Sequence, residues 1–433
     1  MSNNAFIFRI KDDPTGSFGF SMKGSQPQPQ PPPTPPTPED YPDLTEFYSV
    51  SHRGEAQYTT ISENTVEAFA MSKKLGYEWV ETDIRHTSDH VPILNHSETV
   101  DVNEITSPIT ISDTTWATLS SYTLAGTTNK MSSLEEGLTF CKNNGLRMYL
   151  ELKDGTQEEI ESVYATVDQL GMKKKVVWIS ADSTLLEHIK SIDPIARLIY
   201  VVSDSSSTNI DTAASLITAT NQVGLDVNYD HLPQSSFDLA TAAGLTVGVW
   251  TINDPWEVLR YYRMGVKHFT SDKLRAEQII NSLITLTSDD FVTGKIQGGY
   301  INSLNTSDTT RISYVGDKLR VKSGTKYSII ARPVSGLTKT LQVGAQIFGE
   351  KIYKKIARGE IVTTNDGTDK FDSGWQPMNY HFEINVGPYM YTSGFNKPTI
   401  MALTLHHTDS SDIIPSELRS IEIIEIGETI TNM

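Results

Sequence analysis

Cysteine, basic residues and long apolar runs are rare or missing in the sequence, and each of these absences excludes a class of protein or partner. The 433 residues include a single cysteine, Cys141, so no disulfide can form within the chain and disulfide-stapled scaffolds are excluded. Basic residues are in deficit, with 36 Lys and Arg against 53 Asp and Glu, a formal net charge of −17. Such a polyanion binds nucleic acid and anionic membrane surfaces poorly, so we expect neither as a partner and expect a local site, with a metal ion, for any anionic substrate. No apolar run approaches the roughly 18 residues of a membrane-spanning helix, so we expect no membrane insertion.

The N-terminal part of the chain differs in composition from the rest. Residues 1–20 lack the basic start and apolar stretch of a signal peptide. Two alternating stretches, Ala5–Ile10 and Phe18–Met22, predict a small hairpin in residues 1–24, which is either a docking segment for a partner or a partly ordered tail. Residues 25–43 contain the run QPQPQPPPTPPTP and predict a semi-rigid linker, with a ligand for SH3-like domains as the alternative.

Between residues 44 and 285, apolar strand-like runs alternate with amphipathic helical runs. This repetition predicts a (β/α)8 barrel, and a doubly wound sheet is disfavoured because no Gly-rich phosphate loop follows the first strand. Ser62, Ser132 and Asp254 are the expected N-caps of three of the helices. The predicted strands are Tyr48–Gly54, Trp79–Thr87, Arg147–Lys153, Val176–Ala181, Arg197–Ser203, Val223–Tyr229, Thr246–Asn253 and Val266–Asp272.

The interval between the second and third predicted strands is longer than the other intervals between strands. The third strand begins far later than the other spacings predict, which leaves residues about 96–130 as an insertion. An insertion after a strand lies at the C-terminal face of a barrel, where active sites are built. We therefore expect it to form one wall of a pocket.

Residues 286–433 have a different texture, in which short strand-like runs alternate with turn residues. This pattern predicts an all-β sandwich or jelly roll. Its role is either carbohydrate binding or oligomerisation.

Acidic residues cluster near the ends of the second and third predicted strands. Glu81 and Asp83 are two residues apart and point the same way, and Glu151 lies on the next strand. Three carboxylates facing one mouth repel each other unless something neutralises them. We predict one divalent metal ion, Ca²⁺ or Mg²⁺, with a structural salt-bridge cluster involving Arg53, Arg85 and Lys153 as the alternative.

Two histidines are placed for proton transfer at the same mouth. His52 ends the first predicted strand, and His96 follows the second. A phosphodiester is cleaved when one group deprotonates an attacking hydroxyl and another protonates the leaving oxygen, and imidazole suits both tasks. Arg53 and Lys153 are placed to neutralise the phosphoryl oxygens.

These residues together give the chain a strong resemblance to the glycerophosphodiester phosphodiesterase family. The matching text, in order, is His52-Arg53-Gly54, Glu63-Asn64-Thr65, Glu81 and Asp83, Pro92 to His96, Glu151-Leu152-Lys153, Val249 to Asn253, and Thr270-Ser271-Asp272. The resemblance covers about Tyr48–Ser282, and one departure is Ser97, where the family usually has Asp.

The resemblance implies a TIM barrel with a small insertion after strand two. It implies metal binding by Glu81, Asp83 and Glu151 and acid–base roles for His52 and His96. It further implies phosphate contacts from Arg53 and Lys153, with Trp250 lining the substrate cleft. The implied reaction is attack on phosphorus by the hydroxyl next to the phosphodiester, followed by hydrolysis or release of a cyclic phosphate.

The regions outside the barrel resemble parts of another kind of protein. Tyr314–Tyr327 and Tyr391–Ile426 resemble β-modules of tail and baseplate proteins from phages of Gram-positive bacteria. This implies a virion tail enzyme that cleaves glycerol- or ribitol-phosphate linkages of teichoic acid during adsorption. It would be made in the host cytoplasm and dock to tail or baseplate proteins through its N-terminal segment, with formation of a homotrimer as the alternative to sugar binding by the β-module. The alternatives are a bacterial enzyme acting on small glycerophosphodiesters and a non-catalytic teichoic-acid-binding adhesin.

Overall fold

The computed structural model of the chain describes residues 41–56, 60–293, 295–296, 304–314, 319–321, 325–333, 341–349, 352–361, 381–385, 399–407 and 411–428. The predicted N-terminal hairpin and all but the last residues of the predicted linker lie outside these ranges. Those two predictions therefore stay predictions.

Eight parallel strands close into a barrel, as the alternating pattern predicts. Barrel strands that follow each other in the sequence lie side by side in the ring, and the first strand pairs with both the second and the last to close it. Each predicted strand is present but shorter at one or both ends, since several predictions ran into the loops that follow the strands. The barrel strands are β1 (Tyr48–Ser51), β2 (Trp79–His86), β6 (Arg147–Leu152), β7 (Val176–Ser180), β8 (Leu198–Val202), β9 (Val223–Asn228), β10 (Thr246–Trp250) and β11 (His268–Ser271).

Helices follow the barrel strands and cover the outside of the ring. Thr65 and Ser133 cap two of them, because their hydroxyls accept hydrogen bonds from the amides of Ala68 and Glu136. The N-caps predicted at Ser62 and Ser132 are therefore wrong, whereas Asp254 does cap its helix. These helices are α1 (Val66–Lys74), α3 (Leu134–Asn144), α4 (Gln157–Gln169), α5 (Ser183–Ile192), α6 (Ser207–Ser215), α7 (Gln234–Ala242), α8 (Pro255–Met264) and α9 (Ala276–Ser282). In the described part of the chain, none of the helices has the length and apolarity needed to cross a bilayer.

Aromatic side chains and a short preceding segment fill the N-terminal end of the barrel. Tyr48 stacks on Trp79 and on His268, and all three are buried. His268 Nε2 lies 2.7 Å from the carbonyl oxygen of Leu44, which is itself buried in this layer. The N-terminal end is thus packed shut, and the chemistry belongs at the opposite end.

The insertion after β2 is present where the spacing placed it. It consists of β3 (Pro92–Leu94), β4 (Thr99–Val102), β5 (Ile105–Thr110) and the single-turn α2 (Trp116–Leu119). β3 runs antiparallel to β2, and the insertion has a small apolar core of its own that includes Ile93 and Ile111. This arrangement returns the chain over the C-terminal end of the barrel, with His96 just after β3.

The C-terminal region is built of antiparallel sheets, which confirms its predicted all-β character. One sheet has the order β12-β23-β18-β21, and another has the order β13-β16-β22-β19-β20 with β17 beside β22. The sandwich or jelly-roll arrangement stays a prediction. The strands are β12 (Ile284–Thr287), β13 (Val292–Thr293), β14 (Lys295–Ile296), β15 (Leu304–Asn305), β16 (Ile312–Tyr314), β17 (Arg320–Val321), β18 (Thr325–Pro333), β19 (Leu341–Gly349), β20 (Ile352–Ile361), β21 (His381–Asn385), β22 (Thr399–His407) and β23 (Leu418–Glu428).

The first of these sheets packs directly on the barrel. Ile424 of β23 is fully buried in the same apolar cluster as the barrel's outer layer. The indole nitrogen of Trp256 on α8 donates to the Ser328 hydroxyl on β18 at 3.0 Å, and Arg263 pairs with Glu422 at 2.8 Å. The barrel and this sheet therefore share one continuous core.

Candidate active site

A cavity of about 280 Å³ opens at the C-terminal end of the barrel. Its walls come from residues at or just after the ends of the strands, where side chains of a parallel barrel converge. Of the eight site residues predicted from the sequence, Asp83 is buried beside the cavity. The other seven line it: His52, Arg53, Glu81, His96, Glu151, Lys153 and Trp250.

The three predicted metal ligands form one cluster. Glu81, Asp83 and Glu151 each offer a carboxylate oxygen, and these oxygens lie within 4.8 Å of one another. Burial, followed by the charges of Asp83 and Glu151, raises the pKa of Glu81 well above its ordinary value. Glu81 Oε1 is buried and has no hydrogen-bond partner. A buried acidic cluster with an unpartnered oxygen fits a hard divalent cation.

Two cations compensate part of this negative charge. Lys153 Nζ lies 2.8 Å from Glu151 Oε1 and 3.2 Å from Asp83 Oδ1. Arg53 Nε lies 3.3 Å from Asp83 Oδ2, and Arg53 holds a left-handed φ of 54° that lets its amide donate to Glu81 Oε2 at 2.8 Å. Burial acts to raise the pKa of Asp83, but Lys153 and Arg53 outweigh it and lower that pKa.

The salt-bridge alternative thus describes only part of the cluster. Arg53 and Lys153 do pair with the carboxylates, whereas the third cation of that alternative, Arg85, pairs with Asp154 at 2.8 Å. Glu81 keeps an unpartnered oxygen despite the two cations.

Asn64 fixes the position of the central ligand. Its side-chain amide donates to Asp83 Oδ2 at 2.9 Å, and its carbonyl accepts from the Asp83 amide at 3.0 Å and the Thr82 hydroxyl at 2.6 Å. The sequence analysis included Asn64 in a motif but assigned it no role. Its φ of 57° is left-handed, and its backbone amide donates to the Arg53 carbonyl at 2.8 Å, which joins the two segments.

His52 is oriented by a carboxylate that the sequence analysis did not assign. Its Nδ1 lies 2.8 Å from Asp272 Oδ1, while Asp272 Oδ2 accepts from the Asn253 amide at 2.6 Å. The hydrogen bond from His52 lowers the pKa of Asp272, and that from Asn253 adds to the effect. Asp272 is therefore an acceptor, so His52 Nδ1 carries the hydrogen and Nε2 is available to the cavity.

His96 lies on the insertion side of the cavity in a different environment. Burial lowers the pKa of His96 to about 4, with the charges of Arg53, Lys153 and His52 acting in the same direction and that of Asp83 opposing them. The ring is therefore neutral near pH 7 and able to accept a proton. Its backbone is held by Arg85, whose Nε donates to the His96 carbonyl at 2.9 Å.

Asp226 was missed by sequence reasoning and lines the same cavity. It lies on β9, its Oδ1 is buried without a hydrogen-bond partner, and its carbonyl accepts from the Trp250 indole at 3.2 Å. Burial and, secondarily, Glu151 raise the pKa of Asp226 to about 8. Only the barrel brings it to the cavity, since the residues around it in the sequence read as an ordinary buried strand.

Comparison with known proteins identifies a family over slightly more than half of the chain. The model described as the Glycerophosphoryl diester phosphodiesterase family matches residues 52–276. No curated protein matches the chain.

Solved structures similar to this chain carry related descriptions. A putative glycerophosphoryl diester phosphodiesterase from Silicibacter pomeroyi DSS-3 is 20% identical, with 52% of this chain and 90% of that chain covered and a TM-score of 0.46. A glycerophosphodiester phosphodiesterase from Parabacteroides distasonis ATCC 8503 is 22% identical, with 52% and 94% covered and a TM-score of 0.45. An Oleispira antarctica phosphodiesterase in complex with the product sn-glycerol-3-phosphate is 22% identical, with 52% and 92% covered and a TM-score of 0.45.

Proposed function

Because the chain belongs to the glycerophosphoryl diester phosphodiesterase family, a family of phosphoric diester hydrolases, we propose that it cleaves glycerophosphodiesters with the help of one divalent metal ion, Ca²⁺ or Mg²⁺. The observation that carries the proposal is the cavity itself. Two histidines with different surroundings, two cations and the buried acidic cluster lie in or beside this cavity of about 280 Å³. Binding a polymer without cleaving it requires no such pair of histidines.

Each of these residues has its own role in the proposed reaction, and its surroundings determine that role. Arg53 and Lys153 supply positive charge for the non-bridging phosphoryl oxygens. His96 is neutral and accepts the proton of the substrate hydroxyl next to the phosphodiester. His52 acts as the acid in its imidazolium form, which the Asp272 carboxylate stabilises through Nδ1, and it delivers a proton from Nε2 to the leaving oxygen.

The metal ion would be held by Glu81, Asp83 and Glu151 and would supply positive charge to the attacking hydroxyl and the phosphoryl group. Asn64 holds Asp83 in place for this task, and the Arg53 amide holds Glu81.

A second candidate substrate is polymeric. We propose teichoic acid, with glycerol- or ribitol-phosphate linkages, as the substrate of a phage tail or baseplate enzyme. The specific observation that favours it is the architecture outside the barrel, a Pro-rich segment on one side and antiparallel sheets on the other. In this proposal the N-terminal segment docks to tail or baseplate proteins, the β-region binds saccharide or forms a homotrimer, and the location is the virion tail.

Product release from two substrates tests these proposals together. Purified protein is assayed on glycerophosphocholine and on purified teichoic acid, with EDTA, Ca²⁺ or Mg²⁺, as wild type and His52→Ala. We expect metal-dependent cleavage of glycerophosphocholine that His52→Ala lowers by about 10²-fold or more. Additional cleavage of teichoic acid would support the polymer candidate.

The matched control is His231→Ala, a histidine of a loop after β9 that does not line the cavity. It should leave the rate unchanged. Polymer binding with no cleavage of either substrate would contradict the enzymatic proposal and leave an adhesin.

A further inference from the structure

Asp226 is an unsatisfied buried group inside the proposed active site. It is 3% exposed and lines the cavity, and its Oδ1 has no hydrogen-bond partner. A buried carboxyl oxygen without a partner costs free energy, so it calls for an occupant that can donate a hydrogen bond. The acidic cluster does not include Asp226, which argues against a role as a fourth metal ligand.

Thr270 presents a second buried polar atom to the same cavity. It is 3% exposed, lies on β11, and its Oγ1 has no hydrogen-bond partner. The strand β10 lies between β9 and β11, and its Gly248 is paired with Asp226 of β9. A Cβ at Gly248 would lie 2.8 Å from Asp226 Oδ1, so the absence of a side chain there keeps the space beside the carboxyl open.

Both groups lie deeper than the residues that would hold the phosphate. Inward-facing side chains alternate along a strand, so Thr270 lies one layer below Asp272, and Asp226 lies one layer below Asn228, the last residue of β9. Below that level the barrel is filled by Tyr149, Tyr48 and their neighbours. The cavity therefore has a closed end, and its deep wall carries two unpartnered oxygens.

We propose that Asp226 and Thr270 form a hydroxyl-binding subsite that receives the terminal hydroxymethyl group of the substrate's glycerol moiety. The inference rests on the proposed function, because the phosphate at the rim and the attacking hydroxyl beside the acidic cluster direct the third carbon toward the closed end. The hydroxyl donates to Asp226, and its oxygen accepts from the Thr270 hydroxyl. This arrangement would give each buried oxygen a hydrogen-bond partner.

The subsite restricts how a polymer can be used. In a 1,3-linked poly(glycerol phosphate), an interior glycerol has both primary oxygens esterified and offers no free hydroxymethyl group. Only a chain end does, so such a polymer would be processed from its terminus.

Two diesters that differ by one hydroxymethyl group test the subsite. The p-nitrophenyl diesters of glycerol 3-phosphate and of 2-hydroxyethyl phosphate both keep the hydroxyl next to the phosphodiester. We expect wild-type kcat/KM to favour the glycerol diester by about tenfold, the equivalent of one or two neutral hydrogen bonds. Thr270→Val, which is nearly isosteric, should reduce that preference to roughly twofold, and Asp226→Val should do the same. In both variants kcat/KM should fall for the glycerol diester and stay unchanged for the hydroxyethyl diester.

Controls separate the possible failures. Thr246→Val changes a barrel threonine outside the cavity and should keep the wild-type preference. An unchanged preference in Thr270→Val would overturn the subsite even if Asp226→Val failed to fold, and so would a wild type that cleaves both diesters equally. Failure of the wild type to cleave either diester would count against the proposed function instead.

Discussion

At the residue scale, the two histidines show how environment divides one side-chain chemistry into two roles. His52 is backed by the Asp272 carboxylate, whereas His96 is desolvated among positive charges. The backbone of His96 is held by Arg85, whose Nε donates to the His96 carbonyl. Neither partner is adjacent in sequence to the histidine it serves.

Replacing the carboxylate behind His52 should remove its orientation. We expect Asp272→Asn to lower kcat on glycerophosphocholine by about 10²-fold, because a neutral amide beside Nδ1 no longer stabilises the imidazolium that donates from Nε2. Steady-state kinetics measures this loss. Asp168→Asn, which affects an exposed ion pair with Lys173, is the control and should keep the wild-type rate. A wild-type kcat in Asp272→Asn would show that the pair has no role in proton transfer.

The buried Glu81 carboxylate should destabilise the metal-free protein at neutral pH. Its pKa is raised, chiefly by burial, so the folded state binds its proton more tightly than the unfolded state does. The stability from this group is present below the unfolded pKa and is lost as pH rises through the folded one. We expect Glu81→Gln to raise the unfolding free energy in EDTA at pH 7, because the amide removes this buried charge.

Thermal unfolding with and without Mg²⁺ or Ca²⁺ measures this effect. Wild-type Tm should rise with the ion, because an ion that binds only the folded state stabilises it, and the Tm of Glu81→Gln should respond less. Glu161→Gln on the surface of α4 should behave as wild type. A lower Tm for Glu81→Gln in EDTA would contradict the account.

At the element scale, the strand β2 and the loop after β6 jointly place the insertion over the cavity. Asp154 binds Arg85 at 2.8 Å and His86 Nδ1 at 2.9 Å, and Arg85 in turn holds the His96 carbonyl. The spacing of strands predicted the insertion but not this attachment. Asp154 thus adds a side-chain attachment to the backbone bond that the Asn95 amide donates to the Asp83 carbonyl at 3.0 Å.

Loosening that attachment should affect the chemical step more than substrate binding. We expect Asp154→Asn to lower kcat roughly tenfold with KM within about twofold, since a small displacement of a proton acceptor is costly while the phosphate contacts remain. Kinetics and Tm are measured together, with Asp168→Asn again as the control. A fall in Tm with unchanged kcat would assign Asp154 to stability alone.

At the scale of the whole molecule, the barrel and the first C-terminal sheet are joined by packing rather than by a flexible connection. β12 begins at Ile284, directly after α9, and β23 packs on α9 and the barrel core through Ile424. The boundary predicted at residues 285 and 286 therefore falls inside β12, within a shared structure. The two parts should unfold together.

A core substitution in the sheet tests that expectation. Ile424→Ala should lower the unfolding free energy by about 2–4 kcal/mol and should lower the temperature at which barrel activity is lost. The control is Ile414→Ala, because Ile414 is 55% exposed and its truncation should cost little. Barrel activity that survives to the wild-type temperature in Ile424→Ala would show that the barrel unfolds independently.

The sequence by itself determined the features that depend on local pattern. Alternation of strand and helix runs identified the barrel, and the two-residue spacing of Glu81 and Asp83 placed them on one face. The pattern of residues 286–433 also predicted an all-β region, which the antiparallel sheets confirm.

Only the tertiary structure decided which distant residues meet. His52 and Asp272 are 220 positions apart and become neighbours because β1 and β11 are paired strands of the closed ring. Asp226 reads as part of an ordinary apolar strand, and its carboxyl acquires a role only because Gly248 leaves space beside it. The periodicity of a sequence depends on residues that are close together in the chain. The distances across a barrel depend instead on how the ring closes and on the shear between its strands, which no local stretch of sequence encodes.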